Sequence, residues 1–308
     1  MLELVGGAKG GPGKEKPMLV ESGAILAKRS SLKPVLRAWI TLLLLGFTMG
    51  PTWGQPAASE EKLRQAQQAL EEQRVDDAAK LFEKILSEDP NNRVALFQLG
   101  WIYNERQEFE KALGYFSKIE IEKNQGHKVL CEMGYPQKRL TKFDAALASY
   151  RKASELRSDY LPALQGQGEI LFACLKNYEQ AKPVYEKLLQ LQPNNPLANY
   201  RYGWCMNDSG HPDKAVQNLQ QATKLEPRYK AAWIELSYCL LKLERPKDAY
   251  AAAHKALELD SKSVLAHDYA GRAAHWLKKE SEAQEHLKVL KDISPSRAAL
   301  LEKYMRKP

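Results

Sequence analysis

Cysteine is scarce: four in 308 residues is too few for a small disulfide-stapled scaffold. Valine, isoleucine and threonine are sparse after residue 58, and no stretch there alternates apolar with polar residues at period two. A sheet-built core is therefore not expected. Glycine is also depleted in the body, since nine of the 18 glycines lie in residues 1–58, and a collagen-like chain is excluded. No His-Glu-x-x-His, Cys-x-x-Cys or Gly-x-Ser-x-Gly motif occurs, so the common metal-hydrolase, redox and serine-hydrolase signatures are missing. The chain carries a formal charge of +8, but residues 1–58 hold 7 Lys+Arg against 3 Asp+Glu and account for half of it. The body is nearly balanced and lacks the basic surplus of a nucleic-acid-binding domain. The 44% hydrophobic content of the whole chain excludes a disordered one.

The N-terminal 54 residues read as a leader. Lys28, Arg29, Lys33 and Arg37 precede an uncharged run, Ala38 to Met49, followed by Gly50-Pro51 and small residues. A basic stretch, a short apolar core and helix breakers are the layout of a secretory signal. The run is too short for a span of about 20 apolar residues, and Pro51 and Pro56 spoil its continuation as a helix. Cleavage after Gly54 and a periplasmic or secreted body are expected. The rival is an uncleaved inner-membrane anchor; positive charges stay in the cytoplasm, so both arrangements put the body across the membrane. Intact mass of the mature chain separates them: an N-terminus before residue 50 overturns cleavage. Met18 is an alternative start, and no cysteine follows the run to carry a lipid. Gly6 to Glu15 only faintly resembles a phosphate-binding loop, with Ala8 and Glu15 at positions that require glycine and a hydroxyl.

After a linker at 55–58, the chain repeats itself. Ala78, Ala112, Ala146, Ala181, Ala215, Ala249 and Ala283 are spaced 34 apart, with one interval of 35. Closing turns at Pro90, Pro193 and Pro227 keep the same frame, and the extra residue is expected in the turn near Cys174–Asn177. Each unit holds two helical patterns. Leu96, Leu99, Gly100 and Tyr103 form one stripe, and Ala112, Phe116 and Ile119 form that of its partner. With Tyr202, Gly203, Ala215, Leu219, Ala222 and Pro227 in one unit and Trp233, Leu236, Leu240, Ala249 and Ala256 in the next, the chain resembles an array of tetratricopeptide repeats. The resemblance implies an all-α, right-handed superhelical solenoid. Its seven repeats are placed at 59–92, 93–126, 127–160, 161–195, 196–229, 230–263 and 264–297. A capping helix at 298–308 is expected to present Leu300, Leu301 and Tyr304 to the last repeat. Departures concentrate in the middle: Pro136 and Pro183 fall within helices, and Asn124 and Ser158 replace the closing proline. Repeat drift accounts for them most simply; the alternative is a bend that shapes a binding site.

A non-catalytic scaffold is expected, with no cofactor and no metal. Of six histidines, three crowd the seventh repeat without close ligand spacing, and the carboxylates lie on solvated faces. Cys205 and Cys239 occupy equivalent places on successive helices, whose axes stand too far apart for a disulfide. Asn207-Asp208-Ser209 is a glycosylation sequon, meaningful only in a eukaryotic source. Within the resemblance, the fifth and ninth residues of each first helix line the concave side. Phe97, Trp101, Tyr135, Tyr200, Trp204 and Tyr238 stand there as a second aromatic stripe, surplus to the core stripe, with Asn104, Arg201 and Asn207 nearby to bind a main chain. These residues are the candidate groove for a peptide or partner helix. The carboxylate-clamp subclass needs a lysine and an asparagine where Phe97/Trp101 and Tyr200/Trp204 stand, and is excluded. A glycan-handling accessory for exopolysaccharide or cell-wall assembly is the alternative, because aromatic faces also stack on sugars. A membrane-tethered assembly factor is the third possibility, and membrane contact arises only if 38–49 is retained. No nucleic-acid partner is expected.

Overall fold

The computed structural model describes residues 56–306, with side chains from residue 59. The leader and its apolar core at 38–49 lie outside the described residues. Among the described residues there are fifteen α-helices and no strand. No helix there is long and apolar enough to cross a membrane. Seven helix pairs follow one another: α1 (Pro56–Glu71) with α2 (Val75–Glu88), α3 (Arg93–Glu105) with α4 (Phe109–Phe116), α5 (Gly126–Arg139) with α6 (Phe143–Leu156), α7 (Leu161–Glu169) with α8 (Tyr178–Leu191), α9 (Pro196–Asp208) with α10 (Pro212–Leu225), α11 (Lys230–Lys242) with α12 (Pro246–Leu259), and α13 (Val264–Trp276) with α14 (Glu280–Ile293). A last helix, α15 (Pro295–Met305), packs on α13 and α14. The chain divides into two compact units, one ending at Gly166 and one beginning at Gln167.

Local chemistry sets the pair boundaries. Asn92, Asn177 and Asn195 cap α3, α8 and α9, each side-chain oxygen accepting from the backbone N–H three residues on. Proline opens α9, α10, α12 and α15, where its missing N–H leaves no helical bond unmade. Within each pair the turn passes through one left-handed residue: Gln73, Gln107, Thr141, Lys176, Gly210, Glu244 and Lys278, with φ between 52° and 83°. Only Gly210 adopts this conformation without steric cost. The bond from Arg74 N–H to Ala69 C=O, and its equivalents from Glu108 to Tyr103 and Arg245 to Leu240, closes the helix end as a 6→1 cap.

The seven alanines of the periodic row are all 0% exposed, at the closest approach of the paired helices. Large rings fit only because small residues face them. A Cβ added to Gly100 would stand 2.6 Å from Phe116, and one added to Gly134 or Gly166 would stand 2.5 Å from Tyr150. The Tyr150 ring is thus held between two glycines of neighbouring first helices.

Two expectations need correction. The extra residue of the fourth repeat is not accommodated in the turn at Cys174–Asn177; the helix widens just before it, as a π segment at Ile170–Cys174. The Leu175 N–H reaches Ile170 C=O at 2.9 Å, so one residue is added without breaking the ladder. In the last helix, Leu301 is fully buried but Leu300 is 50% exposed. Adjacent residues on a helix lie about 100° apart, so Leu301 shares its buried face with Ala298 and Met305 rather than with Leu300.

Candidate functional site

In the first unit, Phe97, Trp101 and Asn104 lie on α3, and Tyr135 lies on α5. Phe97 is half-buried and meets Phe116 edge-on, ring centroids 5.8 Å apart. Trp101, also half-buried, packs on the cluster formed by Ala66, Leu70 and Ile102. Tyr135 meets Phe109 edge-on at 6.2 Å, and its hydroxyl accepts from Arg139 Nη1 at 2.9 Å. The Arg139 guanidinium lies 4.8 Å from the centre of the Phe109 ring. Asn104 stands one turn beyond Trp101 on the same side of α3. It is only 2% exposed, and neither its Oδ1 nor its Nδ2 has a hydrogen-bond partner among the described residues. An unsatisfied buried amide costs about 1–3 kcal/mol, so its retention calls for an explanation beyond folding.

The second unit carries Tyr200, Arg201, Trp204 and Asn207 on α9 and Tyr238 on α11. Tyr200 packs against Tyr229 at 4.9 Å, and burial pushes its phenol well above the usual range. Trp204 meets Tyr178 at 4.0 Å and Phe172 at 5.4 Å. Tyr238 stacks on Tyr269 at 5.3 Å. Two of the polar residues expected to be available to a ligand are engaged within the protein. Arg201 Nη1 donates to the Tyr185 hydroxyl at 3.0 Å, and its guanidinium covers Phe172 at 5.4 Å. Asn207 is buried; its Nδ2 donates to Glu235 Oε1 at 2.7 Å and its Oδ1 accepts from Lys242 Nζ at 2.8 Å. Burial raises the Glu235 carboxyl to about 7, against the opposing pull of Asn207 and Lys242. The second aromatic stripe is therefore not surplus to packing: every ring in it is partly buried, and each offers only part of its surface to a ligand.

A tetratricopeptide repeat profile matches residues 69–127, and that of anaphase-promoting complex, cyclosome, subunit 3 matches residues 175–256. Together with the paired-helix period, these matches support the repeat reading. The chain is similar to the tetratricopeptide repeat family. Among solved structures, the C-terminal part of a TPR repeat-containing protein from Cytophaga hutchinsonii is similar with a TM-score of 0.58 and 17% identity, over 78% of this chain and 98% of that one. The MamA protein gives 0.52 and 18%, over 57% of this chain and 95% of its own. Both likenesses show the fold. The small glutamine-rich tetratricopeptide repeat-containing protein 2 of Mycosarcoma maydis is 31% identical over 91 residues, which is 29% of this chain. The chain spans about a quarter of that relative's length (26%).

In this tetratricopeptide array, two further clusters escaped the sequence reading. Asp268, fully buried on α13, accepts from Arg272 Nε at 2.7 Å and from Arg297 Nη1 at 3.1 Å, closing the fifth and ninth positions of the seventh repeat. His267 and His286 meet through their Nδ1 atoms at 3.0 Å, and burial, reinforced by His267, lowers His286 to about 4. One ring nitrogen donates to the other in that contact, and among the described residues no group of three side chains is placed to hold a metal ion. Cys205 and Cys239 are buried thiols not joined to each other.

Proposed function

We propose that this array is a non-catalytic scaffold, exported by its N-terminal segment, that binds extended polypeptide on the exposed parts of its first-helix aromatics. The observation that carries the proposal is that Phe97, Trp101, Tyr135, Tyr200, Trp204 and Tyr238, on the first helices of four repeats, each keep part of their surface exposed. Partly exposed rings at this recurring place suit the apolar side chains of an extended segment. A non-catalytic role is supported by Glu235, whose raised carboxyl is held by Asn207 and Lys242 rather than directed at an open cleft. Sugar stacking, the alternative ligand chemistry, is less well supported, because four of the six rings, Phe97, Tyr135, Tyr200 and Trp204, already pack edge-on or tilted against another ring.

The test is selection of a random-sequence peptide library on the full chain. A Trp101→Ala/Tyr135→Ala variant and a Trp204→Ala/Tyr238→Ala variant, both checked for helix content, serve as counter-selections. Central aromatic contacts are worth about 2 kcal/mol or more each, so a pair removed together should weaken a selected peptide about 1000-fold. Selected peptides that bind all three proteins equally overturn the proposal.

A further inference from the structure

Three histidines meet inside the last repeats. His254 lies on α12, His267 on α13 and His286 on α14. His267 and His286 are each 8% exposed, and their Nδ1 atoms stand 3.0 Å apart. The His254 ring meets that of His286 edge-on, centroids 5.5 Å apart. Its Nε2 is closed off from solvent and has no hydrogen-bond partner among the described residues.

The bonds fix where protons can go. His267 Nε2 lies 3.0 Å from the Ser261 carbonyl oxygen, which only accepts, so this nitrogen carries a hydrogen. In the neutral ring His267 Nδ1 is then an acceptor, and His286 Nδ1–H donates to it. A proton added to His267 has no place but Nδ1, where it would face the His286 N–H across the same 3.0 Å. A proton added to His286 goes to Nε2 and puts a cation among buried rings.

Little around the trio offsets such a charge. Glu282, one turn before His286 on α14, is the carboxylate that most favours a proton on His254. It is already engaged by the Tyr250 hydroxyl from α12 and by Lys279 Nζ at 3.0 Å, and Lys279 itself opposes that proton. Glu258, one turn after His254, is held by Lys255 at 2.8 Å, and Asp260, in the turn before α13, by Lys230 at 2.6 Å. On α15, Arg297 is bound to Asp268, and the apolar Leu301 is the neighbour of the trio. A Cβ added to Gly271 would stand 3.3 Å from His286 Cβ and 2.6 Å from Leu301 Cδ2, so the seat of α15 adjoins the histidine pair.

We propose that His254, His267 and His286 form an acid-sensitive latch: the neutral rings hold α14 and α15 on α12 and α13, and protonation releases α14 and α15 while the rest of the second unit stays folded. The release is local because the three rings sit at one joint. What it uncovers is the apolar cluster of Leu287, Leu290, Ala298 and Leu301. Glu235, which titrates in the opposite sense, lies on α11, outside that joint.

Hydrogen exchange of the full chain, read by mass spectrometry and corrected for the intrinsic pH dependence of exchange, tests the latch. An imidazole that takes its proton only in the open form, at the ordinary value of about 6.5, should cut the protection of α14 and α15 about 30-fold between pH 7.5 and 5. Peptides from α9 and α11 should not follow, because their opening also releases Glu235, whose effect is opposite. A His267→Gln/His286→Gln variant should lose most of this pH slope, whatever its absolute protection. Constant protection of α14 and α15 in the native chain overturns the latch, and so does a variant that keeps the native slope. Equal losses in α9, α11, α14 and α15 overturn the local release. If the variant does not fold, the ring resonances of the native chain decide the assignment. His286, which burial holds at about 4, should stay neutral while α14 is protected, and its titration near 6.5 in the closed chain would refute the latch.

Discussion

Replacing Asp268 with alanine should lower the stability of the second unit by about 3–5 kcal/mol, the cost of breaking a buried ion pair from one side. Asp268 is 0% exposed and lies between two guanidinium groups, Arg272 from its own helix and Arg297 from α15. Removal leaves both cations deprived of their anion; Arg297, with a side chain only 13% exposed, has little water to replace it. The bond from Arg297 also ties α15 to α13, and Leu301 on the same helix fills the space against Gly271. The loss should therefore uncover the end of the last repeat. For a unit of this size, thermal unfolding should move down by about 10 °C. Asp268→Asn, which keeps hydrogen-bond acceptance without the charge, should fall between native and alanine. A change below about 1 kcal/mol in the alanine variant would mean the trio adds nothing over solvated arginines.

The second large effect is electrostatic and depends on pH. Glu235 titrates near 7 in the folded chain, against an ordinary value of 4.5. A carboxyl whose folded value is raised contributes stability that is complete below the unfolded value and is lost as pH rises through the folded one. Between about pH 4.5 and 7 this single group should remove about 3 kcal/mol from the second unit, at about 1.4 kcal/mol per pKa unit. His254 and His286 act in the opposite sense, because burial lowers both and their stabilising contribution appears as pH rises. The net profile of the native chain is therefore flatter than Glu235 alone dictates. Glu235→Gln keeps an acceptor for Asn207 and removes the charge, so the difference between variant and native isolates the carboxyl. The glutamine variant should melt with the native chain near pH 5 and well above it near pH 8. Parallel profiles across that range would show that the buried carboxylate is fully compensated by Lys242.

The repeat was legible because helix period and close packing both write themselves into residue type. Alanine recurs wherever two helices approach, and glycine wherever a ring such as Phe116 or Tyr150 needs the space. Hence the frame, the paired helices and the faces of Leu96 or Leu236 could be read directly. What could not be read were choices made by long side chains. Nothing in the local sequence says that Arg139 turns to Phe109 while Lys242 turns to Asn207; that depends on a ring contributed by another helix. The partners of Arg201 and of Asp268 were hidden for the same reason. The π segment at Ile170–Cys174 was missed because an insertion shows in sequence only as a lengthened interval, and either a turn or a widened helix can absorb it. Leu300 was misplaced by treating adjacent leucines as one face.

The central claim is that the half-buried rings of the first helices form a polypeptide site rather than packing alone. Calorimetric titration of a library-selected peptide into the full chain, beside the Trp101→Ala/Tyr135→Ala and Trp204→Ala/Tyr238→Ala variants, tests it most directly. The account predicts saturable binding by the native chain and a loss of about 1000-fold in at least one variant, with helix content unchanged. Undiminished affinity in both folded variants would contradict it and return these rings to the core.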